Sequence, residues 1–194
     1  LAGRGLDAGS FEDLLADSAG LVGICTPSLD RNFLTHFPSH LVTSLNSHRL
    51  RSLWLDDNRL VELPAALSNL TALERLHAAG NCLRTIPPEL GHLQALRALS
   101  VARNRLSHVP AELGNCIALE TLWLSSNCLE TLPEELAGLA NLRSLWLNNN
   151  ALCSLPGRGT CWPALEQLEL GFNQSLSELP GGLGLCERLR KLGL

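Results

Sequence analysis

The sequence lacks an excess of basic charge. Fifteen Lys and Arg stand against nineteen Asp and Glu, a net charge of −4. That balance gives no electrostatic case for nucleic acid or an anionic membrane surface. No apolar run approaches the roughly 20 residues that cross a bilayer, so no membrane span is expected. The cysteines Cys25, Cys82, Cys116, Cys128, Cys153, Cys161 and Cys186 are odd in number. Their spacings match no zinc or disulfide framework. They read as free thiols, which points to a cytoplasmic or other intracellular compartment. No signal peptide is visible, and the chain opens on Leu1 rather than Met, as a fragment or processed form would.

Catalytic patterns are missing as well. Gly157-Arg158-Gly159-Thr160 is glycine-rich but lacks the GxxxxGK[ST] frame of a phosphate loop. His36 and His40 are four apart and His48 follows, yet the pattern places no third metal ligand. His77 and Cys82 fall on opposite sides of a turn, and a Cys–His nucleophile pair needs direct contact. Neither enzyme activity, nor a cofactor, nor a metal site is expected. Two glycosylation sequons begin at Asn69 and Asn173. The second asparagine belongs to a buried series described next, which weakens it as an argument for secretion.

What the sequence does have is a period. Asn58, Asn81, Asn104, Asn127, Asn150 and Asn173 recur every 23 residues. The first full unit, Leu50–Ala72, follows the frame LxxLxLxxNxLxxLPxxLxxLxx. Units starting at Leu73, Leu96, Leu119, Leu142 and Leu165 repeat it, and a partial one starts at Leu189, so the natural protein is expected to continue. The LxxLxL stretch alternates as a short strand does, with its leucines inward. The asparagine sits where the chain leaves the strand, where its amide can satisfy buried backbone groups. LPxxLxxL returns along the outside as a helical or irregular turn, with proline where no amide bond is needed. One unit cannot bury its own leucines; stacking creates the core.

The ends and some inner places depart from the frame. Residues 24–49 form a degenerate unit, with Leu29, Asn32, Leu34, Phe37, Pro38 and Leu41 in place and Pro27 replacing a strand leucine. Residues 1–23 read as a capping segment with a short amphipathic helix at Ser10–Leu15, Ser10 serving as its cap. The fifth unit loses its outer leucines, and Trp162 stands where the last of them would be.

Over roughly residues 24–194 this pattern strongly resembles the leucine-rich-repeat family. The 23-residue LPxxLxxL variant is similar to the intracellular class that includes Ras-pathway and cell-polarity scaffolds and plant Ras-group-related proteins. Similar units occur in receptor ectodomains and bacterial proteins. The resemblance implies an α/β fold: a right-handed solenoid with a curved parallel sheet on its concave face and short helical or irregular segments on its convex face.

In such a fold the second, third, fifth, seventh and eighth positions of each unit face the concave side. The fifth reads Trp54, His77, Ser100, Trp123, Trp146, Glu169. Large aromatics at positions the core does not need suggest anchors for a partner. Trp123 and Trp146, on neighbouring strands, are expected to touch. Arg103, Asn149 and Phe172 complete the expected binding set with Trp54, His77, Trp123, Trp146 and Glu169. The second position alternates Arg51, Glu74, Arg97, Glu120, Arg143, Glu166, Arg190, a ladder expected to hold register. The function expected is a non-catalytic scaffold or assembly subunit that binds a protein partner through this face. Two readings of other classes stay open: the ligand-binding ectodomain of a receptor, and the recognition domain of a larger kinase or ubiquitin-ligase chain.

Overall fold

A computed structural model describes residues 2–7, 28–37, 42, 49–156 and 162–194. The expected helix at Ser10–Leu15, together with His40, His48, Cys25, Cys161 and the Gly157–Thr160 stretch, lies outside the described residues.

Seven strands of three residues each pair in parallel, in chain order: β1 Ser52–Trp54, β2 Arg75–His77, β3 Ala98–Ser100, β4 Thr121–Trp123, β5 Ser144–Trp146, β6 Gln167–Glu169 and β7 Lys191–Gly193. The register follows the repeat, so Leu53 faces Leu76, then Leu99, Leu122, Leu145, Leu168 and Leu192. Ser28 adds a single bridge to Trp54, which brings the degenerate unit onto the same sheet. The result is the curved, right-handed leucine-rich-repeat solenoid.

The leucines expected inside are inside. Leu53, Leu55, Leu76, Leu99, Leu122, Leu124, Leu145 and Leu147 are buried in one continuous core with Leu29, Leu34 and Phe37 of the degenerate unit. Each such side chain removed from water contributes about 1.5–3 kcal/mol, which is why stacked units hold where single ones would not.

The convex returns are short 3-10 turns rather than α-helices: Ala65–Asn69, Pro88–His92, Ala111–Asn115, Glu134–Gly138 and Gly181–Leu185. Each follows an extended proline, Pro64, Pro87, Pro110, Pro133 or Pro180. Consecutive turns pack so closely that a Cβ on Gly91 would lie 2.3 Å from the Glu112 carbonyl oxygen, and one on Gly114 2.7 Å from that of Glu135. In the fifth unit Trp162 fills the place of the missing leucine. It is fully buried, and its indole N–H donates to the Leu136 carbonyl at 2.7 Å.

The asparagines form the expected ladder. Asn81 shows the pattern: its Nδ2 donates to the carbonyls of Leu55 (3.0 Å) and Ala78 (3.1 Å), while its Oδ1 accepts from the Leu60 amide (2.9 Å). Asn58, Asn104, Asn127, Asn150 and Asn173 repeat it. Each amide thus ties its own unit to the preceding one through groups that would otherwise be buried unpaired. Asn173 is buried with both donated bonds made inward, so the sequon that starts there is closed in the folded chain.

At the N-terminal end, residues 2–7 lie against the degenerate unit. The Leu6 amide donates to Asn32 Oδ1 (3.0 Å), the Phe33 amide to the Leu6 carbonyl (2.8 Å) and the Gly3 amide to the Asp30 carbonyl (2.8 Å). These bonds reproduce those that one unit makes with the next, as when the Arg59 amide donates to the Leu34 carbonyl.

Candidate protein-binding face

The site residues lie on the concave side because of how the strand ends. At the eighth position of every unit the backbone turns into the left-handed region: Asp57, Gly80, Arg103, Ser126, Asn149 and Phe172 all have φ between 52° and 66°. The amide there still donates along the sheet, from Asp57 to the Ala79 carbonyl (2.8 Å) and from Arg103 to that of Ser125 (2.8 Å). The turn aims the asparagine inward and leaves the eighth side chain on the rim. Left-handed backbone costs a non-glycine residue on the order of 1–3 kcal/mol. Gly80 alone of the six escapes it, and Asn tolerates it well.

Three expected residues therefore share a backbone state that the repeat frame did not reveal: Arg103, Asn149 and Phe172. Phe172 is 79% exposed. Arg103 reaches across two units to Asp57, Nη2 to Oδ1 at 3.0 Å, over Gly80. A Cβ on Gly80 would lie 2.4 Å from that Asp57 oxygen and 3.3 Å from the Arg103 Nη2, so the ion pair depends on a glycine between its partners.

The aromatic row is half-buried and is ordered differently from expectation. Trp54 stacks on His77 with ring centroids 4.0 Å apart, and His77 meets Trp123 at 5.9 Å. Trp123 and Trp146 are register partners, but the ring contacts of the described residues join Trp123 to His77 instead. The reason is Ser100, on the strand between them: its small side chain leaves room for the two rings to close over it. Trp146 instead carries the Lys191 ammonium 5.4 Å from its ring centroid. Its indole N–H is buried without a hydrogen-bond partner, the sole buried side-chain N or O atom so placed among the described residues.

Electrostatics separate the two ends of this face. Burial, then the charge of Arg75, holds the His77 pKa below its usual 6.5, against an opposing pull from Asp30. Burial raises that of Asp56, with Asp30 and Asp57 adding to it, although the Ala79 amide donates to Asp56 Oδ1 at 2.6 Å. The hydrogen bond from Lys191 (2.8 Å), then that from Gln167 (3.2 Å), pull the Glu169 carboxyl below its usual range. In the second column Arg51 bridges Glu74, Arg97 bridges Glu120, and Arg143 bridges Glu166. These are separate pairs, whereas an unbroken ladder was expected.

Cys82, Cys116, Cys128, Cys153 and Cys186 are not joined in disulfides, and burial pushes Cys116 up to about 11. Such a thiol is unreactive. Among the described residues no group of His, Cys, Asp and Glu is arranged to hold a metal ion, and no helix is long and apolar enough to cross a membrane.

The sequence matches the leucine-rich repeat region over residues 34–193, and the chain belongs to that family. A search of curated proteins finds no match. Among solved structures the chain is similar to a leucine-rich-repeat protein of Leptospira interrogans, with 30% identity and a TM-score of 0.73, covering 90% of this chain and 49% of that one. It is similar to the Arabidopsis receptor kinase HAESA, solved with the peptide hormone IDA and the co-receptor SERK1, with 31% identity, a TM-score of 0.71 and coverage of 90% and 30%. The plant peptide hormone receptor RGFR1, solved with RGF2, gives 29% identity, a TM-score of 0.69 and coverage of 87% and 28%. The chain therefore spans at most about half the length of these relatives.

Proposed function

We propose that this chain is a non-catalytic recognition module whose concave face holds a protein partner, as a scaffold or assembly subunit does. One observation carries the reading. Trp54, His77, Trp123 and Trp146 stand on the solvent side of the sheet, and the core is complete without them. Aromatics so placed are the usual anchors of protein interfaces. Arg103, Asn149, Glu169 and Phe172 border the row and complete the candidate face. The 23-residue frame and the free thiols support the intracellular class, with its Ras-pathway and polarity scaffolds, as the setting. A receptor ectodomain is the second reading, favoured by the similarity to receptors solved with peptide hormones.

Trp123→Ala with Trp146→Ala tests the face. Quantitative affinity capture compares the proteins held by the parent and by the double variant, with circular dichroism verifying the fold. Anchors of this kind are worth at least about 2 kcal/mol each, so captured partners should weaken at least about 10-fold. A folded double variant that retains every partner at full affinity refutes the concave-face reading. Recovering the same partner from cytosol or from a secretory compartment separates the two settings.

A further inference from the structure

The two ends of the concave face differ in what their polar side chains touch. On β1–β3 the polar groups are engaged: Asp57 with Arg103, Asp56 with the Ala79 amide, His77 with Trp54. On β4–β6 the side chains of Ser125, Ser126, Asn148 and Asn149 make no hydrogen bond, although each follows its strand at the seventh or eighth position. The unpartnered indole N–H of Trp146 and the exposed Phe172 lie in the same stretch.

Charge adds a constraint. On β4–β6 the second position carries Glu120, Arg143 and Glu166, each already in an ion pair, and the third, fifth, seventh and eighth positions carry one charge, Glu169, which Lys191 neutralises. The same third, fifth, seventh and eighth positions of β1–β3 carry Asp56, Asp57, Arg75 and Arg103. A ligand complementary to the β4–β6 end is therefore uncharged, offers both hydrogen-bond donors and acceptors, and has an apolar group for Phe172. Extended polypeptide main chain meets these terms. Glycans also offer neutral donors and acceptors, but they need free ring faces to stack on, and here His77 adjoins Trp123 while Lys191 sits over Trp146.

We propose that β4–β6 bind an extended, uncharged peptide segment of the partner, its main chain read by the Asn148 and Asn149 amides and the Ser125 and Ser126 hydroxyls, an apolar side chain seated against Phe172. This rests on the concave face being the partner face. Neighbouring strands are about 4.8 Å apart and an extended chain rises about 3.3 Å per residue, so the stretch from Ser126 to Phe172 accommodates about three residues.

The test selects a phage-displayed library of random linear 12-residue peptides on the 194-residue chain and measures the affinity of synthetic versions of those enriched. Uncharged peptides should dominate. Asn148→Ala with Asn149→Gly, chosen because glycine accepts the left-handed turn, should weaken them about 10-fold while thermal unfolding stays unchanged. N-methylation of the central peptide amides should weaken them similarly, a readout that side-chain packing alone would not move. Glu112→Gln with Glu135→Gln, on the convex turns, should leave affinity unchanged. Peptides that depend on Trp54 and Asp56 but not on the asparagines would overturn this assignment and leave the concave face standing. Peptides indifferent to both sets would overturn the concave reading too. Failure to enrich any peptide, or selective capture of neutral oligosaccharides from a glycan array, would overturn the peptide proposal.

Discussion

From β1 to β3 the polar side chains that follow the strands are engaged, Asp57 with Arg103 and Asp56 with the Ala79 amide, whereas after β4 and β5 those of Ser125, Ser126, Asn148 and Asn149 stand free. Both ends carry the same 23-residue frame, the same strand register and the same left-handed eighth position. The difference comes from small residues. Gly80 lets Asp57 and Arg103 meet above it, and Ser100 lets Trp123 lean back to His77. No such gap lies between β4 and β5, where tryptophans are register partners and asparagines follow on the rim. A surface that satisfies itself has little to gain from a partner, because binding must first break what is already made. The same contrast appears on the convex side. The earlier turns pack against each other with no room for a methyl group at Gly91 or Gly114, while Gly138 has open space and one tryptophan stands in for the outer leucines beyond it.

The largest way to break this comparison is Trp162→Ala. The ring is fully buried and bonded to the Leu136 carbonyl, so its removal leaves a cavity and takes one of the two bonds that carbonyl accepts, the Leu139 amide supplying the other. A loss of about 3–5 kcal/mol is expected in urea unfolding. A loss under about 1 kcal/mol would mean that the fifth unit holds without its substitute. A smaller effect sharpens the comparison along the ladder. Asn104 is buried and Asn127 half-buried, although their bonds are alike. Asn104→Ala should cost about 1–3 kcal/mol. Asn127→Ala should cost less, because water can reach the groups it abandons. Equal losses in the two variants would show that the ladder does not sense exposure.

Much of this was legible in the sequence. The leucine register, the asparagine ladder and the replacement of an outer leucine by Trp162 all follow from position in the frame. The left-handed eighth position was not legible, because Asp, Gly, Arg, Ser, Asn and Phe occupy it in turn and share no side-chain chemistry. Gly80 and Asn149 were the available signals, two of six. The ring contacts were missed for another reason. Register gives which residues are neighbours, but the size of Ser100 decides which way Trp123 leans. Residues 2–7 escaped the frame because Arg4 follows Gly3 where the repeat has its asparagine; only the bonds to Asp30, Asn32 and Phe33 show the likeness to a repeat turn.

Phe172→Gly comes next in size and has the opposite sign. The side chain is largely exposed, and its backbone lies at φ 60°. Glycine relieves about 1–3 kcal/mol of strain and returns about 0.5–1 kcal/mol as chain entropy, for a net gain of about 1 kcal/mol. A more stable chain that binds its partner less well would show that the phenylalanine is kept for recognition. A loss of stability would show that it supports the fold.

Arg103→Gly gives the smallest effect and ties the two ends together. It relieves the same backbone strain as Phe172→Gly, since Arg103 lies at φ 53°. It also removes the pair with Asp57, whose side chains are 61% and 44% exposed for Arg103 and Asp57 respectively. Exposed pairs of this kind are worth about 0–1 kcal/mol and weaken with salt. Arg103→Gly should therefore be less stabilising than Phe172→Gly by under about 1 kcal/mol at low ionic strength. At about 1 M salt, where the screening length falls to about 3 Å, the two variants should converge. Thermal unfolding of both at the two salt concentrations reads the difference directly. If the gap persists in high salt, the Asp57–Arg103 contact stabilises by packing rather than by charge, and the β1–β3 end is closed by shape. If there is no gap at either concentration, the pair contributes nothing, and Asp57 and Arg103 are as available to a partner as Asn148 and Asn149.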